Sequence, residues 1–176
     1  MVAALVLAMQ TASWADALGK PTGMVVLTIA GKIENANRGA FDPLHDRFLK
    51  HHEKSFSTAA EFDIDMLEAL GMKKISFGYK EWSAPELMEG PLLKDVLPKA
   101  GAVGKRITTL ALDGYAVEFT DKDLLAKNYV LVLKRNSRYL KIGEYGPTLI
   151  AFDRDHNSTD RSDDKLIYGA FYIEIQ

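Results

Sequence analysis

Lys134, Arg135, Arg138 and Lys141 crowd into LKRNSRYLK (133–141), and a run rich in aspartate follows in AFDRDHNSTDRSDD (151–164). The first cluster is chemistry for anions. An arginine guanidinium forks onto a carboxylate or phosphate through paired N–H donors, while a lysine acts as a point charge. The second is oxygen chemistry for a hard cation: Asp153, Asp155, Asn157, Thr159 and Asp164 stand at positions one, three, five, seven and twelve of a calcium-loop pattern. Two departures weaken the calcium reading. Ser158 occupies the place that needs glycine, and Asp164 replaces the bidentate glutamate. The flanking segments also read as strands, where that motif needs helices, so a solvated loop is the simpler expectation. The basic cluster keeps two readings. It anchors an anionic ligand or acidic partner, or it guards an edge strand against sheet-to-sheet association.

Aromatic residues supply a further candidate. Trp82, Tyr79, Tyr115 and Tyr145 could line a small-molecule pocket with Arg135 or Arg138 as its polar anchor. Alternatively Trp82 fills the core and the tyrosines cap strand ends. The four histidines, at 45, 51, 52 and 156, offer no pair at the three- or four-residue spacing of a zinc site. The serines have no nucleophile-elbow context, and there is no glycine-rich phosphate loop. No catalytic residue is assigned.

These residues must be positioned by a chain of 176 residues, 47% hydrophobic and 26% charged, which is ordinary for one globular domain. A net charge of -2 argues against general nucleic-acid binding, which needs a basic excess. The absence of cysteine removes disulfides, thiolate ligands and a thiol nucleophile together. At the N-terminus, Val2 to Met9 is an apolar run of eight, and TASWADA places small residues at Ser13 and Ala15 or at Ala15 and Ala17. That pattern predicts a signal peptide over 1–17 with a truncated basic region, and a periplasmic or secreted protein. No other segment is long and apolar enough to span a bilayer, so no membrane span is expected in the mature chain, 18–176.

Periodicity and turn chemistry predict strands over MVVLTIAG (24–31), KKISFGY (73–79), RITTLAL (106–112), YAVEF (115–119), YVLVLK (129–134), TLIAF (148–152) and AFYIEI (170–175). Asp113-Gly114 predicts a type I′ hairpin turn, and Asn136-Ser137 turns the chain back towards Tyr139. Helices are predicted over 41–57 from Asp42 and Pro43, over 63–70 capped by Asp63, over PLLKDVLPKAG (91–101) with Pro98 ending it early or bending it, and over 120–127 with a Thr120–Asp123 capping box. EWSAPELMEG (81–90) reads as a loop. Many short strands with three or four short helices make an α+β domain with a mixed, mostly antiparallel sheet.

Three blocks in this order, EWSAPELMEGPLLKDVLPKAGA (81–102), TTLALDGYAVEFTDKDL (108–124) and VLVLKRNSRYLKIGEYGPTLIAFD (130–153), resemble the oxidoreductase molybdopterin-binding domain in its short stand-alone bacterial form. The resemblance rests on Trp82, Gly90, Leu92 to Leu97, Asp113-Gly114-Tyr115, the basic hairpin and Gly146-Pro147. It implies the sulfite-oxidase-like fold and admits molybdopterin as a cofactor. Enzymes of that family ligate molybdenum through a cysteine thiolate, and this chain has none. The expectation is therefore an exported ligand-binding or protein-interaction module without thiolate-ligated molybdenum catalysis and with no cofactor of its own. Trp82, Tyr115, Arg135, Arg138 and Tyr145 are the candidate ligand residues, for an anionic small molecule or a protein partner. The alternative is a molybdopterin-dependent oxidoreductase, or a subunit of one, holding its metal through other ligands.

Overall fold

The computed structural model describes residues 18–79, 82–154, 157 and 165–176. The predicted signal segment and most of the aspartate-rich loop lie outside the described residues. Strands β1 (Val25–Gly31), β7 (Val130–Val132) and β10 (Thr148–Ala151) are buried along almost their whole length. Continuous apolar runs of this kind belong to strands covered on both faces. They meet in a seven-stranded sheet around the nine-residue β11 (Ile167–Ile175). The C-terminal half of β11 runs parallel to β1 and antiparallel to β5 (Arg106–Ala111), while its N-terminal half pairs antiparallel with β10. β2 (Ala59–Asp63) extends the sheet beyond β1, β6 (Ala116–Thr120) beyond β5, and β7 beyond β10. A second sheet, in the order β3 (Lys73–Phe77), β4 (Glu86–Gly90), β8 (Lys134–Arg135), β9 (Arg138–Tyr139), is wholly antiparallel.

Four short helices are described: α1 (Arg47–His51), α2 (Ile64–Glu68), α3 (Leu93–Lys99) and α4 (Asp121–Ala126). The protein is α+β with mostly antiparallel sheets, as expected. The predicted capping box is present. Thr120 Oγ1 accepts from Asp123 N, and the Asp123 carboxylate accepts from Thr120 N at 2.7 Å. Among the described residues no helix is long and apolar enough to cross a membrane.

Several local expectations are corrected. The helix predicted over 41–57 shrinks to the five residues of α1. Asp42 does not cap it, because its carboxylate closes a turn on Leu44 N at 2.8 Å and pairs with His45 Nδ1 at 2.7 Å. Glu53, at φ 56°, then turns the chain out of the helix. The loop predicted over 81–90 contains β4, and β2 was not foreseen. The Asp113-Gly114 turn is not type I′, which needs positive φ at both central residues; only Gly114 has it. The segment predicted as one strand over 129–134 divides into β7 and β8, one in each sheet.

Asp63 joins three pieces of chain. Its carboxylate accepts from Thr22 N at 2.7 Å, Gly23 N at 2.8 Å and, as the α2 cap, Met66 N at 2.9 Å. The N–H groups of Gly23 and Met66, with that of Thr22, hold its carboxyl below the usual carboxylate range. A depressed folded-state pKa contributes stability above the unfolded value, about 3.9, and that contribution is lost as pH falls through the folded value. Asp63→Ala is therefore expected to cost about 2–3 kcal/mol at neutral pH and to flatten the acid limb of stability. Urea unfolding at pH 7 and pH 3 checks both; an equal cost at the two pH values would contradict this account.

Candidate functional site: an arginine hairpin over an aromatic cluster

Sequence alternation decides which way the basic side chains of the hairpin point. Neighbours in a strand face opposite sides. Lys134 turns towards α2, where its ammonium lies 2.7 Å from Glu68 Oε1 and 4.5 Å from the Tyr139 ring centroid. The Tyr139 hydroxyl donates to the same oxygen at 2.9 Å. Hydrogen bonding to Glu68 raises the Lys134 pKa, and the same contact lowers that of Glu68. Lys134 is thus occupied within the fold and leaves the candidate site.

Arg135 turns the other way. Its Nη2 donates to Glu86 Oε1 at 2.5 Å, and its Nε pairs closely with Glu86 Oε2. This two-point fork, between β8 and the start of β4, raises the Arg135 pKa further and fixes the plane of the guanidinium. That plane lies 5.0 Å from the Tyr145 ring centroid and 6.0 Å from that of Trp82, within cation–π range. Behind it the aromatic rings interlock. Trp82 stands edge-on to Phe77 at 5.9 Å and to Tyr79 at 5.5 Å. The Tyr79 and Tyr168 hydroxyls lie 2.8 Å apart, and Tyr168 packs on Tyr145 at 5.1 Å. The Arg154 guanidinium sits 5.2 Å over Tyr79 and is almost fully buried.

The hairpin turn at Asn136 and Ser137 puts both residues at positive φ, 48° and 63°. The Asn136 carboxamide oxygen accepts from Leu87 N at 3.0 Å. This tight reversal sets Arg138 directly across from Arg135, so both side chains leave the ladder on the same side. Arg135, Asn136, Arg138, Lys141 and Glu144 line an open cleft of about 450 Å³. Arg135 has its counter-ion in Glu86. Among the described residues Arg138 and Lys141 have no ion-pair partner, and Glu144 is the one acidic side chain lining the cleft.

Of the five candidate residues, Trp82, Arg135 and Tyr145 come together, and Arg138 joins Arg135 at the cleft. Tyr115 does not. It lies at the end of the β5–β6 hairpin, 57% exposed, and among the described residues its ring and hydroxyl contact none of the other four. Sequence reasoning missed Glu86, Arg154 and Tyr168. Glu86 sat in a segment read as loop, while Arg154 and Tyr168 are distant in sequence from the residues they meet. No local pattern marks them. Among the described residues no three His, Cys, Asp or Glu side chains gather as a metal-holding group. Of the proposed calcium ligands, the Asp153 carboxylate accepts from Ser76 N at 3.2 Å, while Asp155, Thr159 and Asp164 lie outside the described residues. No protein-family model matches this chain, and a search of the curated proteins returns no match.

Proposed function

We propose that this chain is an exported binding module for an anionic small molecule, held at the β8–β9 hairpin. One observation carries the reading: Arg138 stands across the ladder from Arg135, with Lys141 beside it, and neither Arg138 nor Lys141 has a counter-ion among the described residues. Like charges directly opposite on a ladder are unfavourable. An anion seated between them removes that cost and gains charge-assisted hydrogen bonds. The aromatic cluster supplies an apolar wall, and the Glu86 fork keeps Arg135 in place as a positioning group.

Titration with benzoate, followed by amide chemical shifts, tests this. Shifts are expected at 135–141, with affinity falling about tenfold or more in R138Q/K141Q, since a hydrogen bond to a charged group contributes about 1.5–3 kcal/mol. Unchanged affinity in the double variant would count against the site. Failure of benzoate together with capture of a polyglutamate peptide would move the reading to an acidic protein partner. Export is supported by the apolar run Val2 to Met9 and the small residues at 13, 15 and 17. Mass spectrometry of the protein from the periplasmic fraction is expected to find a chain beginning after Ala15 or Ala17; recovery of the uncut chain in the cytoplasm would exclude it.

The sulfite-oxidase-like fold is the finer architecture we propose, on the order of the three sequence blocks. The residues at 77–79 do not fit thiolate-ligated molybdenum. Phe77 is a fully buried hydrocarbon ring, Gly78 has no side chain, and the Tyr79 hydroxyl is engaged by Tyr168.

A further inference from the structure

An apolar groove adjoins the anion cleft and shares Lys141 with it. About 290 Å³ in volume, the groove is lined by Met24, Val26, Ile64, Leu140, Ile142 and Pro147, with the Tyr139 ring and Lys141. Asp63 fixes two of its walls. Through Thr22 N and Gly23 N it holds the segment that leads into Met24, and it caps α2, whose first residue is Ile64. The third wall is the chain that leaves β9. Leu140 N donates to Leu133 O at 2.9 Å, and the Lys141 carbonyl accepts from both Glu144 N and Gly146 N at 3.0 Å. Ile142 then bridges to Gly146. The walls are thus set by hydrogen-bonded backbone.

Apolar side chains scattered singly over a surface need no explanation. Here they converge: Met24 is 72% exposed, Ile142 69% and Tyr139 48%, and all three line this one groove. A concave apolar patch beside a few polar groups suits the hydrocarbon part of a ligand. The Tyr139 hydroxyl is engaged by Glu68. That leaves the Lys141 ammonium, which has no ion-pair partner among the described residues, as the charged group lining the groove. The same lysine lines the cleft of Arg135 and Arg138. There the three cations are offset by the carboxylates of Glu86 and Glu144, which leaves one net positive charge and matches a monoanion. We infer, resting on the anion-binding reading of the hairpin, that the ligand is an aliphatic monocarboxylate of medium chain length, with its carboxylate at Lys141 and Arg138 and its chain in the groove.

The probes are butanoate, hexanoate and octanoate, with 1-octanol as the uncharged chain, read by methyl shifts of Met24, Ile64 and Ile142 and amide shifts at 135–141. Affinity is expected to rise about two- to fourfold with each added CH₂, the increment that burying a methylene gives. 1-Octanol is expected to bind about tenfold or more weaker than octanoate, for want of the charged hydrogen bonds. M24Q/I142Q, in two exposed side chains, is expected to bring octanoate down to the affinity of butanoate, with an unchanged amide spectrum away from the groove. Benzoate separates this inference from the reading beneath it. Benzoate shifts at 135–141 together with equal affinity for butanoate and octanoate would overturn the chain assignment alone. No shift with benzoate or with any of the three acids would overturn both. Octanoate affinity unchanged in K141Q would also overturn the assignment. So would co-sedimentation with phosphatidylglycerol vesicles without binding of monomeric octanoate, which would make the groove a membrane contact.

Discussion

Gly90→Ala is expected to destabilise the protein by about 3 kcal/mol or more, at or above the top of the usual range for overpacking. A Cβ at this position would lie 1.9 Å from Leu131 O, 2.7 Å from Leu131 C and 2.9 Å from Val132 Cα. All three are backbone atoms of β7, so no side chain can swing aside. The two strands cannot separate cheaply either. On one side Leu131 N donates to Pro91 O at 2.9 Å, and on the other Leu133 N donates to Glu89 O at 2.8 Å. Gly90 therefore sits where β4 of the second sheet hydrogen-bonds alongside β7 of the first, and β4 carries Glu86, which holds Arg135. The variant should lose thermal stability by about 6–12 °C, from 2–4 °C per kcal/mol for a chain of this size, and its affinity for benzoate should fall with it. A shift of less than about 1 kcal/mol in urea would mean that this contact is looser than the geometry describes.

Phe77→Ala is expected to cost about 3–5 kcal/mol, the range for emptying a buried aromatic site. Phe77 is fully buried and meets Tyr79 and Trp82 edge-on at 5.5 and 5.9 Å. Its removal leaves a void under Tyr79, which lies beneath Arg154, and under Trp82, which backs Arg135. The fluorescence of Trp82 should shift to longer wavelength as water reaches it; the other tryptophan, Trp14, is silenced by W14F. Phe77→Leu keeps more of the volume and should retain both the emission and the benzoate site, at a smaller cost in stability. Equal losses in the two variants would show that ring packing does not support the cluster.

How much of this was legible follows from how local each determinant is. The α4 capping box, the Asp63 cap and the turn at Asn136-Ser137 each depend on residues within four positions of one another, so composition and spacing reveal them. β7 and β10 announce themselves by unbroken apolar runs. The strand at Glu86–Gly90 does not, because two glutamates and flanking proline and glycine disguise it. Its strand character comes from β3 and β8, which it joins. The failed helix at 41–57 makes the same point in reverse: its start signals were spent on a turn.

For the candidate site, the sequence alone determined that a basic hairpin would exist, and that alternation would part Lys134 from Arg135. It could not assign their partners. Glu68 claims Lys134, Glu86 claims Arg135, and Tyr115 stays apart from the other candidate rings, because these meetings are set by which distant strand or helix packs beside the hairpin. Residue type and spacing decide short-range hydrogen bonds and which face a side chain takes. Which charges are neutralised and which are left for a ligand depends on contacts between residues dozens of positions apart, and only the packed tertiary structure specifies those.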